Sequence, residues 1–116
     1  MKSALRLRHR ADFAGVRAGG RKYRHSALAL ALRANGLSHN RYGFVTGKWL
    51  GTAVLRNRTK RRLRAAICQK HACLRQGYDI VVTARPMAAA QPFDELQRIL
   101  NELFLQAELS RGKPGC

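Results

Sequence analysis

Acidic residues are scarce in this chain. Six Asp and Glu stand against 23 Lys and Arg in 116 residues, giving a formal charge of +17 and a pI near 11.5. Asp94, Glu95, Glu102 and Glu108 all fall after residue 90, which leaves only Asp12 and Asp79 elsewhere. A two-metal nuclease needs several carboxylates converging on one point, and no such set exists. Cysteine is sparse as well. Cys68, Cys73 and Cys116 are odd in number, at spacings that match neither a disulfide framework nor a zinc site. A set of Cys68, His71 and Cys73 lacks a further ligand, and a reducing cytoplasm is the simpler inference. No apolar run approaches the ~18 residues of a membrane span. Arg6, Arg8 and Arg10 interrupt any signal-peptide core. Missing too are a Gly-rich phosphate loop, HExxH and GxSxG. His9, His25, His39 and His71 are scattered over arm, strand, loop and helix, and read as ordinary surface residues rather than a general acid and base. Any catalysis therefore belongs to something the protein binds.

What the chain does have is Gly51 to Arg64, GTAVLRNRTKRRLR. Arg56, Arg58, Lys60, Arg61, Arg62 and Arg64 crowd into nine residues without Pro or Gly, and Thr52 stands ahead as a candidate N-cap. At helical spacing Leu55, Thr59, Leu63, Ala66, Ile67 and, further on, Leu74 share one stripe, while Asn57 and the cations occupy the remaining arc. One face can bury and the other presents guanidinium forks suited to phosphate oxygens. A solvated surface helix would mix signs at i,i+4, yet Gly51 to Tyr78 contains no acidic residue. The unneutralised face implies an anionic partner, and the size of the net charge points to nucleic acid.

The rest of the chain reads as one domain. Residues 1–10 form a basic arm, 11–109 an α+β RNA-binding domain, and 110–116 a flexible tail. A short helix is expected from Ala11 to Ala18, with Phe13, Val16 and Arg17 on one side and Gly19-Gly20 ending it. Arg21 to Arg33 reads as extended despite an Ala- and Leu-rich stretch, and Asn35-Gly36 marks a turn. Arg41 to Gly47 is a strand with Tyr42, Phe44 and Thr46 on one face and Gly43 and Val45 on the other. Tyr78 to Ala84 has the composition of a strand buried on both faces. Arg85-Pro86 ends it, and Pro92 opens a last helix whose stripe is Phe93, Leu96, Leu100, Leu103, Phe104 and Ala107. The expected fold is α+β, a small central mixed sheet packed with three helices in the order α-β-β(-β)-α-β-α. Residues 1–90 hold 20 basic against two acidic residues, and residues 91–116 three against four, so the last helix lies off the binding surface.

The segment RYGFVTGKWLGTAVLRNRTKRRLRAAI, Arg41 to Ile67, closely resembles the signature of the bacterial ribonuclease P protein subunit. Asp12-Phe13 with Val16 and Gly20 upstream, and YDIVVTARP and DELQRILNELF downstream, extend the resemblance over roughly residues 5–105. It implies a protein cofactor of a ribonucleoprotein endonuclease, a hydrolase of tRNA processing. That cofactor docks on a large catalytic RNA, contacts the 5′ leader of precursor tRNA and acts in the cytoplasm. It also implies that Mg2+ is held mainly by the RNA, and that a left-handed crossover joins the strands at Arg41–Gly47 and Tyr78–Ala84. By position, Arg56, Asn57, Arg58, Lys60, Arg61, Arg62 and Arg64 would bind the catalytic RNA. Asn57 would fix a phosphate or a metal-bound water. Phe13, Arg17, Lys48 and the open face of the sheet would line the leader cleft. Arg17 and the small residues of Ala27 to Ala31 stand where the family often has rings, and Trp49 reads as core or rim rather than a base platform.

Two other readings compete. A structural rRNA-binding protein of the ribosome fits the charge and size, although many carry long basic tails in place of a compact arginine helix. A DNA-reading helix would mix Asn, Gln and Ser with its arginines to reach base edges. Whichever RNA is bound, a face neutralising about six phosphates should give a slope of log K against log[salt] of roughly −4 to −5. A nearly flat slope in a salt titration of RNA affinity would remove the electrostatic argument.

Overall fold

The computed structural model describes residues 2–110; the expected tail beyond Ser110, and Cys116 with it, lie outside them. Helix α1 spans Arg10–Gly19, strands β1 Arg21–Arg24, β2 Leu28–Ala34 and β3 Arg41–Val45 follow, then α2 Ala53–Lys70, β4 Tyr78–Ala84 and α3 Phe93–Gln106. The Ala- and Leu-rich run becomes strand because Leu28, Leu30 and Leu32 recur at every second position. Extended, they share one buried face, whereas a helix would scatter them around its axis. The extended run expected from Arg21 to Arg33 is broken at His25, where the Ala27 N–H donates to His25 Nδ1 at 3.2 Å.

The sheet order is β1-β2-β4-β3, with β1/β2 and β2/β4 antiparallel and β3/β4 parallel. Strand β4 enters between β2 and β3, and Ile80, Val81 and Val82 are all buried, as their composition predicts. Helices α2 and α3 cover one face: Leu63 and Ile67 of α2 and Leu96, Leu100 and Phe104 of α3 pack with Leu28, Leu30, Leu32, Tyr42, Ile80 and Val82. Helix α1 covers part of the other face, where Val16 and Phe13 meet Leu7, Ala31, Val81 and Val45. The α+β fold with three helices on a mixed sheet is thus the one the sequence predicts.

Helix α2 is capped by Thr52, whose side chain accepts from the Leu55 N–H at 3.3 Å. It runs beyond Arg64 to Lys70. Leu74 is buried, but from the chain after a 3-10 turn at His71–Cys73 rather than from the helix stripe. Thr59 is tolerated in the stripe because its Oγ1 donates to the Leu55 carbonyl at 2.9 Å. The arm is docked along β3: the Leu7 N–H donates to the Tyr42 carbonyl at 2.9 Å, and Leu7 is buried. Close approach fixes two glycines. A side chain at Gly20 would meet the Val16 and Leu32 carbonyl oxygens at 2.4 and 2.6 Å, and one at Gly43 would meet the Phe13 ring at 2.4 Å.

Two sequence readings need correction. Cys73 is disulfide-bonded, against the expectation that the cysteines form no disulfide, while Cys68 is free and exposed. His71 is not an ordinary surface residue. Its Nδ1 lies 2.7 Å from the Tyr42 hydroxyl, which also receives a hydrogen bond from Asn40 Nδ2 at 3.1 Å. Burial pushes the Tyr42 phenol up to about 12, partly opposed by Asn40, so the hydroxyl keeps its proton and donates a hydrogen bond to His71 Nδ1. Burial, with a smaller contribution from His39, holds His71 below its ordinary value.

Asp79, buried in β4, ties three elements together. Arg41 of β3 donates to it twice, Nε to Oδ1 at 2.8 Å and Nη2 to Oδ2 at 2.7 Å, and Asn35 Nδ2 donates to Oδ1 at 3.0 Å. The same guanidinium reaches Asp12 of α1 at 4.0 Å. Burial raises the Asp79 carboxyl, but the bonds from Arg41 and Asn35 and the charges of Arg41 and Arg33 outweigh it and hold it below the usual range. A depressed carboxylate stabilises the fold fully above its unfolded value, about pH 4, and loses that contribution as pH falls through the folded value. Asp79→Asn should lower stability by about 1–3 kcal/mol at neutral pH, because Arg41 loses its bidentate carboxylate and keeps only the more distant Asp12. It should also flatten the acid limb of stability against pH below about 4. Denaturant melts from pH 2 to 7 test both; an unchanged acid limb would assign the acid loss to another carboxylate.

Candidate nucleic-acid interface

Helix α2 places Arg56, Asn57, Arg58, Lys60, Arg61, Arg62 and Arg64 on the arc opposite Thr59, Leu63, Ala66 and Ile67. Asn57 and Arg61 are exposed and the others half-buried along their stems. Among the described residues no carboxylate pairs with a cation of α2: Asp12 and Asp79 lie on Arg41, and Glu95 and Glu102 on Arg98. The Nε–H groups of Arg56, Arg58 and Arg64 are shielded from solvent without an acceptor. Unmet donors beside unpaired positive charge suit an anion rich in acceptor oxygens.

Two members of the set also hold the fold. Arg62 Nη1 donates to the Gln91 carbonyl at 3.0 Å, and Arg58 Nη2 reaches the Ala89 carbonyl at 3.4 Å, tying α2 to the Pro86–Ala90 turn. Arg61 makes no such bond in the structure and points outward.

Two clefts border helix α1, one reaching round the β3 edge to α2 and one lying over β1, β2 and β4. In the first, Phe13, seated on Gly43, joins Arg6 and Arg8 of the arm and Lys60 and Arg64 of α2. That cleft makes the arm and α2 one basic surface. In the second, Ala29, Ala31 and Thr83 form a floor of small residues, with Arg17, Lys22, Arg24 and Arg85 as the rim. The pairing register explains the arrangement: Lys22 lies across from Ala31 and Val81, and Arg24 across from Ala29 and Thr83, so the alternation that buries leucines below delivers cations above. No acidic residue lines either cleft.

Phe13 and Arg17, assigned together from sequence and one turn apart on the same face of α1, line different clefts. Lys48 is exposed in the 3-10 turn Lys48–Leu50 and lines neither. Sequence reasoning missed Arg6, Arg8, Lys22, Arg24 and Arg85. The signal was present in the period-2 pattern of Lys22 and Arg24 on β1, and in Val81, Thr83 and Arg85 along and just past β4. Reading Arg85-Pro86 only as a strand stop concealed it. The described residues contain no cluster of three or more His, Cys, Asp or Glu able to hold a metal, and no helix long and apolar enough to cross a membrane.

A family model described as Ribonuclease P matches residues 1–108. The chain is 44% identical over 110 residues to the ribonuclease P protein component of Symbiobacterium thermophilum, covering 94% of this chain and 96% of that one. It is 36% identical to the component of Herpetosiphon aurantiacus over 109 residues, 94% and 89% of the two chains. In three dimensions it resembles the ribonuclease P protein of Staphylococcus aureus, with TM-score 0.86, 28% identity and coverage of 93% and 99%. It also resembles that of Thermotoga maritima, with TM-score 0.77, 29% identity and coverage of 84% and 94%. These matches lend no support to the ribosomal alternative.

Replacing Arg61 and Arg62 singly by Ala should separate binding from folding. Both changes should weaken RNA affinity, but only Arg62→Ala should lower thermal stability, by about 1–2 kcal/mol through loss of its bond to Gln91. Equal melting temperatures for the two variants would remove the structural part assigned to Arg62.

Proposed function

The chain belongs to the ribonuclease P protein family, components of an endoribonuclease of tRNA processing, and from that membership we propose that it binds a catalytic RNA through α2 and the 5′ leader of precursor tRNA through the sheet face. The observation that carries this reading is the α2 face, seven residues able to engage phosphates with no carboxylate among them. Arg56, Asn57, Arg58, Lys60, Arg61, Arg62 and Arg64 dock the RNA, and Arg6, Arg8 and Phe13 extend that contact. Arginine suits the role because its fork matches two phosphate oxygens and its charge does not titrate.

The cleft rimmed by Arg17, Lys22, Arg24 and Arg85 accepts the leader, with Lys48 just past β3 at the same end of the sheet as Arg85. Its floor of Ala29, Ala31 and Thr83 lets a single strand approach the backbone, and the rim cations follow its phosphates without reading sequence. The protein's own residues do not suit magnesium. Asp79 is engaged by Arg41, Asp12 lies beside the same guanidinium, and the remaining acids belong to α3 or the turn after it. The ion accordingly rests mainly with the RNA, and this chain contributes charge neutralisation and substrate positioning. Such work belongs in the cytoplasm, with the precursor tRNA.

Cleavage of a precursor tRNA at low magnesium, with and without the bacterial catalytic RNA, tests the reading. Cleavage should need both RNA and protein, and Arg61→Ala with Arg64→Ala should suppress it while the fold persists by circular dichroism. Cleavage by the protein alone, or RNA activity that the protein does not raise, would overturn it.

A further inference from the structure

Trp49, the single tryptophan of the chain and read from the sequence as core or rim rather than a base platform, is 52% exposed although it is a large apolar side chain. It is also firmly held. Its Nε1–H donates to the Ala84 carbonyl at 2.7 Å, at the end of β4 where β3 has already stopped. The far edge of its ring lies against Gly47: a side chain there would stand 2.0 Å from Cζ3 and 2.3 Å from Cη2. The polar edge of the indole is thus satisfied by the sheet and its orientation fixed by the glycine, while much of the π surface faces water.

The surroundings indicate what the ring meets. Ala84 lies between Thr83, on the floor of the sheet cleft, and Arg85, on its rim. Gly43 and Val45 point to the α1 side of the sheet. Continuing that alternation to Gly47, whose backbone is extended at φ −139° and ψ 179°, sets the indole on the same side. Lys48 precedes Trp49 in sequence, and no acidic residue occurs between Arg41 and Tyr78. Trp49 stands outside the lining of that cleft, and an exposed, pre-oriented ring that follows Lys48 and is bonded to the residue before Arg85 has the features that hold an unpaired base by its π face while the cations hold the adjoining phosphates.

We propose that Trp49 is the stacking platform for one unpaired nucleobase of the precursor's leader, a proposal that rests on the leader-cleft reading above. It adds an aromatic face beside Arg85 to a cleft lined by Tyr23, Leu30 and the small residues Ala29, Ala31 and Thr83, and Gly47 is the seat that orients it. Because the ring is already ordered, stacking demands little further loss of side-chain freedom.

Trp49 is its own reporter. Its fluorescence in the reconstituted holoenzyme should be quenched on adding a leader-bearing precursor tRNA and unchanged on adding the same tRNA without a leader. Trp49→Ala should weaken the affinity gained from the leader by about tenfold, and Trp49→Phe should restore most of it. Arg85→Ala, measured in parallel, tests the cleft itself. Leader-dependent affinity that falls in Arg85→Ala but persists in Trp49→Ala, with no quenching, would overturn the platform and leave the cleft standing. If the leader adds no affinity to the unmodified holoenzyme, platform and cleft fall together. The quenching measurement uses the unmodified chain, so it decides the matter even where a variant folds poorly.

Discussion

Concentrated positive charge on one helix is the constraint around which this molecule is arranged. Helix α2 holds like charges on adjacent turns, each unfavourable contact worth about 0.2–0.5 kcal/mol. On its other side Leu63 and Ile67 are fully buried, each contributing roughly 1.5–3 kcal/mol. The buried stripe therefore outweighs the repulsion, and the helix forms without a neutralising partner. Acidic residues would relieve that repulsion, but they are drawn off to Arg41 and Arg98, away from the α2 face.

The seat of α1 is the second determinant. This helix has a narrow contact with the sheet, and close approaches fix it: the Phe13 ring over Gly43, the Arg33 guanidinium across Gly15, and Gly20 against the Leu32 carbonyl. Arg41, clamped by Asp79 and reaching Asp12, joins the helix to β3 and β4 electrostatically. Because α1 covers only part of the sheet, it leaves one cleft over β1, β2 and β4 and another at the β3 edge. Their different linings, one shared with α2 and the arm, the other floored by alanines and threonine, follow from where that single helix rests.

The fold and the α2 surface were legible in the sequence because both depend on local periodicity. The spacing of Leu63, Ala66 and Ile67 defines a helix face without knowledge of its partner, and the resemblance of Arg41 to Ile67 to a known signature identified the family. Composition likewise pointed to binding as the theme, with six acidic residues in the chain, of which Arg41 and Arg98 engage four. Tertiary structure decided the rest. Phe13 and Arg17 are one turn apart yet line different clefts, because Phe13 lies over Gly43 of β3 while Arg17, a turn further on, sits beside Lys22 and Arg24 of β1. Arg6, Arg8, Lys22, Arg24 and Arg85 come from the arm, β1 and the end of β4, and only strand register and docking bring them beside α1 and α2. His71 was unreadable as a structural residue because its partner Tyr42 lies 29 positions away. Helical and strand periods are written in neighbouring residues, whereas a cleft is made of residues that only pairing and packing bring together.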